Sequence, residues 1–162
     1  LYARYGVTKE NLPQKLCGIY KSSVEQPKNP LFRGFDDFFN YPQSRYTQSN
    51  PSEIKKVPDL EVLSSSKETG FSILAKKNLR EIYLFGHLEY ERDKEEGLKP
   101  NLPQNYFPEN DDKNKPKSTW ASAASLFFSN WLNYAVYQGT PYLGERLSQH
   151  LNEENYDFNQ KE

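Results

Sequence analysis

The chain has 162 residues, a formal net charge of -1 and 27% charged residues. This near-neutral balance argues against a nucleic-acid binder, because such proteins gather positive charge to neutralise phosphates. The aromatic fraction is 15%, with 12 Tyr and 10 Phe, whereas disordered chains are poor in aromatic residues. The composition therefore predicts one folded domain with a polar surface, and no apolar stretch approaches the length of a membrane span.

Two residue counts bear on the compartment and on the extent of the chain. A single cysteine, Cys17, excludes an internal disulfide and fits a reducing compartment, so we expect a cytoplasmic protein. The chain contains no methionine and begins with Leu1. Because an open reading frame starts with methionine, we expect the chain to be a fragment that lacks an N-terminal half.

The first third of the sequence predicts one helix end, one strand and one long connection. Residues 1–5 are expected to end a helix, with Gly6 as its C-terminal stop. Residues 15–22 alternate as a strand should, and residues 26–30 form a turn. Residues 41–58 are polar and hold three prolines, which predicts a long connection.

The middle of the sequence predicts three successive strands, at residues 60–63, 70–75 and 81–85. The last of these is nearly all apolar, as expected of a strand that is buried on both faces. Strands and helices in this order predict an α/β sheet. That sheet needs more strands than the chain provides, which is a second reason to expect a fragment.

The final third predicts an irregular loop followed by one amphipathic helix. Residues 99–117 hold four prolines and predict the loop, and Ser118 can cap a helix that runs to about Tyr137. The apolar stripe of this helix consists of Trp120, Ala124, Phe127, Trp131 and Ala135, widened by Phe128 and Leu132. The helix is expected to stop at Gly139, and residues 143–162 are interpreted as a polar tail.

The sequence Gly86-His87-Leu88-Glu89-Tyr90 directly follows an apolar run. His87 and Glu89 are two residues apart, so on an extended backbone they project from the same side. A carboxylate in this position can orient the imidazole, which can then activate a nucleophile supplied from elsewhere in the fold. We therefore predict that His87 and Glu89 are catalytic. The alternative is an ordinary strand-end histidine beside an exposed glutamate.

The remaining candidates carry weaker signals. Cys17 lies mid-strand rather than on a strand-to-helix turn, so we interpret it as a small buried hydrophobe. Arg33 and its charged neighbours beside Gly34 could recognise a zwitterionic amino acid, or could form only structural ion pairs. His150 lies in the polar tail without predicted partners. No spacing of acidic residues predicts a metal site, and no glycine-rich phosphate loop is present.

Five motifs together resemble one known family. They are LPQKLCGIY, LFRGFDDFFNYPQSRYT, GHLEYE, NYFPEND and SNWLNYAVYQGTPY. These motifs resemble the C-terminal half of homoserine O-acyltransferases of the homoserine trans-succinylase type, from Leu1 to about Tyr142. The resemblance implies an α/β, class I glutamine-amidotransferase-like (flavodoxin-like) sheet, of which this chain, residues 1–162, would hold the C-terminal part.

The resemblance also implies a reaction. Members of the family transfer an acetyl or succinyl group from coenzyme A to the hydroxyl of L-homoserine, through an acyl-cysteine, in methionine biosynthesis. The expected co-substrate is acetyl-CoA or, less favoured, succinyl-CoA, and no bound cofactor, metal, nucleic acid or membrane is expected. A homodimer is a candidate assembly, since the predicted helix has more apolar surface than one sheet face needs.

Roles can be carried over from the family residue by residue. By this resemblance His87 matches the general base, and Glu89 matches the carboxylate that orients it. Lys15 and Ser44 match residues that bind the substrate. Arg92 is the best match for the arginine that binds the substrate carboxylate.

The chain departs from the family pattern in three places. The nucleophilic cysteine of the family lies before the position of Leu1, and Cys17 does not match it, so this chain alone is expected to be inactive. The stretch after Tyr90 is shorter than the family's helix, which bears on whether Arg92 reaches the site. Leu88 replaces the usual proline, which should be tolerated because that side chain points away from the pair.

Three other functions stay open at this point. A serine O-acetyltransferase of the same family would use the same site. A glutamine amidotransferase-like hydrolase shares the Cys-His-Glu logic, although the long motifs around Gly34 and Tyr106 argue against it. An inactive truncated remnant would fit the absent nucleophile.

Overall fold

The computed structural model describes residues 1–91 and 103–139, and its centre is one five-stranded sheet. The strands are β1 (Lys9–Val24), β2 (Phe38–Ser49), β3 (Leu60–Ser66), β4 (Gly70–Lys76) and β5 (Ile82–Leu84). They lie in the order β2-β1-β3-β4-β5, and each neighbouring pair is antiparallel. The sheet curls so that its two edges approach each other. The chain that leaves β5 reaches β2, where the His87 amide donates to the Pro42 carbonyl at 2.9 Å.

Short helices and turns connect the strands, and one longer helix follows them. They are α1 (Tyr2–Tyr5), α2 (Pro51–Ile54), α3 (Ala121–Asn130) with a π-helical continuation over Trp131–Tyr137, and 3-10 turns at Pro30–Phe32 and Pro108–Asn110. As predicted, α1 ends at Gly6, whose φ of 69° lies in the left-handed region. The Asn50 side chain caps α2 by accepting from two backbone amides. Within the described ranges no helix is long and apolar enough to cross a membrane.

β4 lies between two hydrophobic cores. Ile73 belongs to the main core, which α3 closes with Trp120 and Phe127. Its neighbour Leu74 points to the opposite face and packs with Ile54 in a smaller core. Successive side chains on a strand alternate between faces, so an apolar run is required wherever both faces are covered. In this chain β4 is a strand with both faces covered.

The strand predicted over residues 81–85 is shorter and less buried than expected. β5 lies at the edge of the sheet, and its residues are half-buried or exposed, Leu84 being 36% exposed. The prediction of burial on both faces is wrong because an apolar run does not reveal whether a strand is central or at an edge.

The long connection predicted over residues 41–58 is also wrong. Most of it forms β2, and Pro51 opens α2. β2 is an edge strand, where a proline such as Pro42 is tolerated because no neighbouring strand needs its missing N–H. Pro51 occupies the first helical turn, where its missing N–H has no intrahelical partner.

The amphipathic helix begins later than predicted, and its stripe is buried only in part. Its cap residue is Trp120, which makes no side-chain cap hydrogen bond, so Ser118 is not the cap. The buried members of the stripe are Trp120, Ala124 and Phe127. Trp131 and Leu132 are 38% and 42% exposed, because the wider π-helical turn rotates the stripe away from the core.

The segments that flank this helix agree with the predictions as far as they are described. Residues 103–117 of the predicted loop are irregular apart from the Pro108–Asn110 turn. The polar tail assigned to residues 143–162 lies outside the described residues.

Glu81 fastens α1 to the start of β5. Its carboxylate accepts hydrogen bonds from the Tyr5 hydroxyl and from the Tyr83 hydroxyl at 2.7 Å, and it pairs with Arg4 at 2.9 Å. The two hydrogen bonds, and then the Arg4 charge, lower the pKa of Glu81 below its usual 4.5. A depressed pKa stabilises the fold above the unfolded-state pKa, and that contribution is lost as the pH falls through the folded-state pKa.

We expect Glu81→Gln to lower the free energy of unfolding at neutral pH and to reduce its decline below about pH 4.5. Urea unfolding of both proteins at pH 7 and at about pH 4 measures the two differences. Glu61→Gln, which removes a carboxylate from β3, is the control. Equal pH dependence in wild type and Glu81→Gln would contradict the role given to this carboxylate.

Candidate active site

His87 and Glu89 lie in a turn that follows β5. The His87 Nδ1 and Glu89 Oε1 atoms are 2.8 Å apart. The expected extended backbone is wrong here, since the Tyr90 amide returns to the His87 carbonyl at 3.4 Å and closes a turn. The turn still brings the two side chains together, and they are 34% and 58% exposed. The imidazole is therefore accessible to a reacting group.

The contact between the pair fixes how the imidazole can act. An ionised carboxylate only accepts hydrogen bonds, so Glu89 holds the His87 proton on Nδ1. The other ring nitrogen, Nε2, then carries the free lone pair and can take a proton. This arrangement suits a general base whose tautomer is set by a carboxylate.

β2 holds the backbone that carries the pair. The His87 amide donates to the Pro42 carbonyl at 2.9 Å, and the Gly86 amide donates to the Tyr41 hydroxyl at 3.1 Å. Tyr41 is fully buried, and burial raises the pKa of its phenol, so the hydroxyl stays neutral. At Gly86 there is no room for a side chain, because a Cβ would lie 2.3 Å from the Pro42 oxygen. Close approach between turn and strand thus requires glycine.

Two further contacts hold the turn from the other side. The Tyr90 ring stacks on the His87 ring, with centroids 4.3 Å apart and planes 3° from parallel. The Trp120 indole donates to the Tyr90 carbonyl at 2.9 Å. Leu88 points away from the pair, as predicted, and is buried in the main core. His87 and Glu89 are therefore accessible side chains on a turn whose backbone is held by packing and hydrogen bonds.

Lys15 and Ser44 lie together on the β1–β2 ribbon. The pairing register shifts between Asn11 and Leu16, and Lys15 lies within this irregular stretch. Such irregularities change the direction of a side chain without ending the strand. Ser44 lies opposite Cys17. Among the described residues, neither Lys15 nor Ser44 makes a hydrogen bond or ion pair with His87 or Glu89.

Cys17 is buried in β1, as predicted. Burial raises the pKa of its thiol, while the Lys15 charge and a hydrogen bond with Ser44 act in the opposite direction. A cleft of about 590 Å³ opens beside it and is lined in part by Lys15, Arg45 and Gln104. A raised pKa leaves less of a thiol in the reactive thiolate form, so this environment does not favour Cys17 as a nucleophile.

The remaining arginine and acidic candidates do not join the pair. Arg33 donates to the Tyr134 hydroxyl and lies against that ring, which ties the loop before β2 to the π-helix. Arg92 lies outside the described residues. Within residues 1–91 and 103–139 no group of acidic, histidine or cysteine side chains could hold a metal ion, and Asp36 and Asp37 form no such group.

Sequence reasoning missed the residues that hold the turn, namely Tyr41, Pro42 and Trp120. Each lies more than 25 residues from Tyr90 or Gly86 and meets the turn only because the sheet curls. Nothing in the local pattern indicates such contacts.

The comparison with protein families gives one match over most of the chain. The family described as homoserine O-succinyltransferase matches residues 1–142. A homoserine O-acetyltransferase of Lactococcus lactis subsp. lactis is 95% identical over 171 residues, covering 100% of this chain and 53% of the relative. A homoserine O-acetyltransferase of Streptococcus thermophilus is 52% identical and covers 91% of this chain and 50% of the relative.

These matches also show how much of each relative this chain represents. The chain spans about half the length of the curated relatives it matches. The alignment with the Lactococcus relative runs over 171 positions, whereas the chain has 162 residues, which leaves nine positions without a counterpart here.

A solved structure supports the fold class. A Thermoplasma acidophilum protein described as a component of GMP synthase aligns with a TM-score of 0.52 and 13% identity, covering 80% of this chain and 48% of that one. This likeness concerns the fold alone and confirms the α/β, glutamine-amidotransferase-like class. The family match over residues 1–142 shows that the chain belongs to the homoserine O-succinyltransferase family.

Proposed function

We propose that this chain carries the general-base half of a homoserine O-acyltransferase site. The observation that supports this most is the 2.8 Å contact between His87 Nδ1 and Glu89 Oε1 on an accessible, firmly held turn. The names of the Lactococcus and Streptococcus relatives support homoserine as the acceptor.

The chemistry follows from the pair. An acyl-CoA thioester first passes its acyl group to a cysteine thiolate, and coenzyme A leaves as the thiolate. The homoserine hydroxyl then attacks the acyl-cysteine while His87 Nε2 takes its proton, so that a C–O bond forms and the C–S bond breaks. Glu89 balances the imidazolium that results. Cys17 is buried and lies in a strand, so the nucleophile would be a cysteine outside these 162 residues.

The same proposal includes the residues that bind homoserine. Lys15 and Ser44 bind homoserine, and Arg92 pairs its carboxylate. Acetyl-CoA is the favoured donor because the similar relatives are named acetyltransferases, although the family description names the succinyl transfer. No bound cofactor is needed for either transfer. The product would enter methionine biosynthesis in the cytoplasm.

A hybrid protein tests the proposal. In it, this chain replaces the matching portion of the full-length Lactococcus relative, which serves as the positive control. Release of coenzyme A is followed with acetyl-CoA or succinyl-CoA as donor and homoserine, serine or glutamine as second substrate. We expect the hybrid to transfer acetyl to homoserine, and we expect this chain alone to show no transfer.

Each other outcome of that assay points to a different function. Transfer to serine in preference to homoserine would support the serine acetyltransferase. An inactive hybrid beside an active relative would contradict the proposal and support an inactive remnant. Ammonia release from glutamine without acyl transfer would support the amidotransferase.

A further inference from the structure

We propose that Tyr90 is a positioning residue, which fixes the plane of the His87 imidazole by stacking on it and so keeps Nδ1 on the Glu89 carboxylate that sets the tautomer. The two rings are 3° from parallel with centroids 4.3 Å apart. The consequence for catalysis rests on the proposed function, whereas the effect on the imidazole itself does not.

One hydrogen bond cannot fix an imidazole by itself. The contact from Nδ1 to Glu89 holds one ring atom, but coupled rotations about the χ1 and χ2 bonds of His87, with the exposed Glu89 carboxylate following, can still tilt the ring. A second contact over the ring face removes this freedom, because a tilted imidazole would leave the Tyr90 ring. The bond and the stack together set the direction in which Nε2 points.

Tyr90 can serve this purpose only if it is itself held in place. Its side chain is partly exposed, but its backbone carbonyl accepts the Trp120 indole hydrogen at 2.9 Å. Trp120 is 1% exposed and belongs to the main core at the start of α3. A buried indole N–H needs an acceptor, so this bond ties the turn to the core. The orientation of the imidazole therefore depends on the position of α3, because Trp120 holds Tyr90 and Tyr90 stacks on His87.

The stacked ring also faces the imidazolium that forms when His87 accepts a proton during the transfer. The face of an aromatic ring carries partial negative charge and attracts a cation placed over it. When His87 takes a proton, the imidazolium meets Glu89 at its edge and the Tyr90 ring at its face. The aromatic ring provides this effect and the hydroxyl does not. We therefore expect Tyr90→Phe to keep the orientation of the imidazole and Tyr90→Leu to lose it.

Nitrogen-15 NMR of the imidazole tests the proposal on the full 162-residue chain and on the hybrid. The chain has two histidines, so His150→Gln leaves His87 as the single histidine signal of the chain. We expect wild type and Tyr90→Phe to show the Nδ1–H tautomer and ring protons shifted upfield by the stacked ring. We expect Tyr90→Leu to lose the shift and to populate both tautomers. Tyr137→Leu, which removes a tyrosine that is 72% exposed at the helix end, is the matched control.

The outcomes separate this proposal from the proposed function. Absence of the upfield shift in wild type, or an unchanged tautomer in Tyr90→Leu, would overturn the positioning role even if the hybrid is active. If Tyr90→Leu does not fold, the wild-type and Tyr90→Phe spectra still decide whether the stack exists. In an active hybrid, Tyr90→Leu should lower kcat about threefold to tenfold with little change in KM, and Tyr90→Phe should restore it. An unchanged kcat in Tyr90→Leu would contradict the catalytic consequence.

Discussion

Replacing His87 with alanine should lower acyl transfer by the hybrid protein about 10²- to 10⁴-fold, which is the usual contribution of a general base. The homoserine hydroxyl holds its proton tightly at neutral pH, and in this geometry the acceptor for that proton is His87 Nε2. Formation of the acyl-cysteine does not need the same proton transfer from homoserine. Initial rates of product formation, measured beside single-turnover release of coenzyme A, therefore separate the two half-reactions.

Two variants make the comparison specific. Glu89→Gln keeps the size of the side chain but removes the charge that balances the imidazolium, so it should lower the rate less than His87→Ala. His150→Gln changes the other histidine and should leave the rate unchanged. Turnover of His87→Ala within a few-fold of wild type would remove His87 from the mechanism.

The parts of the fold that sequence predicted are those with a local cause. The end of α1 at Gly6 requires only the left-handed conformation, which glycine adopts readily. The φ of Gly6, 69°, lies in that region. The stripe through Trp120 and Phe127 needs only helical periodicity over two turns. Each of these signals is contained in a few neighbouring residues.

The wrong predictions concern position in the sheet. β2 and β5 form its two edges, and an edge strand can be polar and carry a proline or can be apolar and exposed. The composition of either segment does not reveal that position. Only the pairing of distant strands does, and a single sequence contains no direct signal for that pairing.

The candidate site divides in the same way. His87 and Glu89 are two residues apart, so their contact could be predicted even though the turn that makes it was not. The residues that hold them come from β2 and from the start of α3, and they are brought together by the curl of the sheet. The sequence therefore indicated the His87–Glu89 pair, but it did not indicate the distant residues that hold the pair in place.

Gly86→Ala should lower the free energy of unfolding by about 1–3 kcal/mol, the range typical of overpacking a close contact. The added Cβ would lie 2.3 Å from the Pro42 oxygen and 2.9 Å from the Tyr41 ring. Strand and turn must then separate, which weakens the bonds from His87 to Pro42 and from Gly86 to Tyr41. Urea unfolding gives the loss, and the His87 nitrogen-15 spectrum shows whether the imidazole moves with the turn.

Gly70→Ala separates this steric effect from the ordinary cost of replacing a glycine. Gly70 has a φ of 75° and nothing within 4 Å of the Cβ position, so alanine there should cost about 1 kcal/mol through backbone strain alone. It should also leave the His87 spectrum unchanged, since Gly70 does not contact the turn. An equal effect of the two substitutions on the His87 spectrum would mean that the close approach of β2 does not hold the base. A loss confined to Gly86→Ala would tie the orientation of the imidazole to the curl of the sheet.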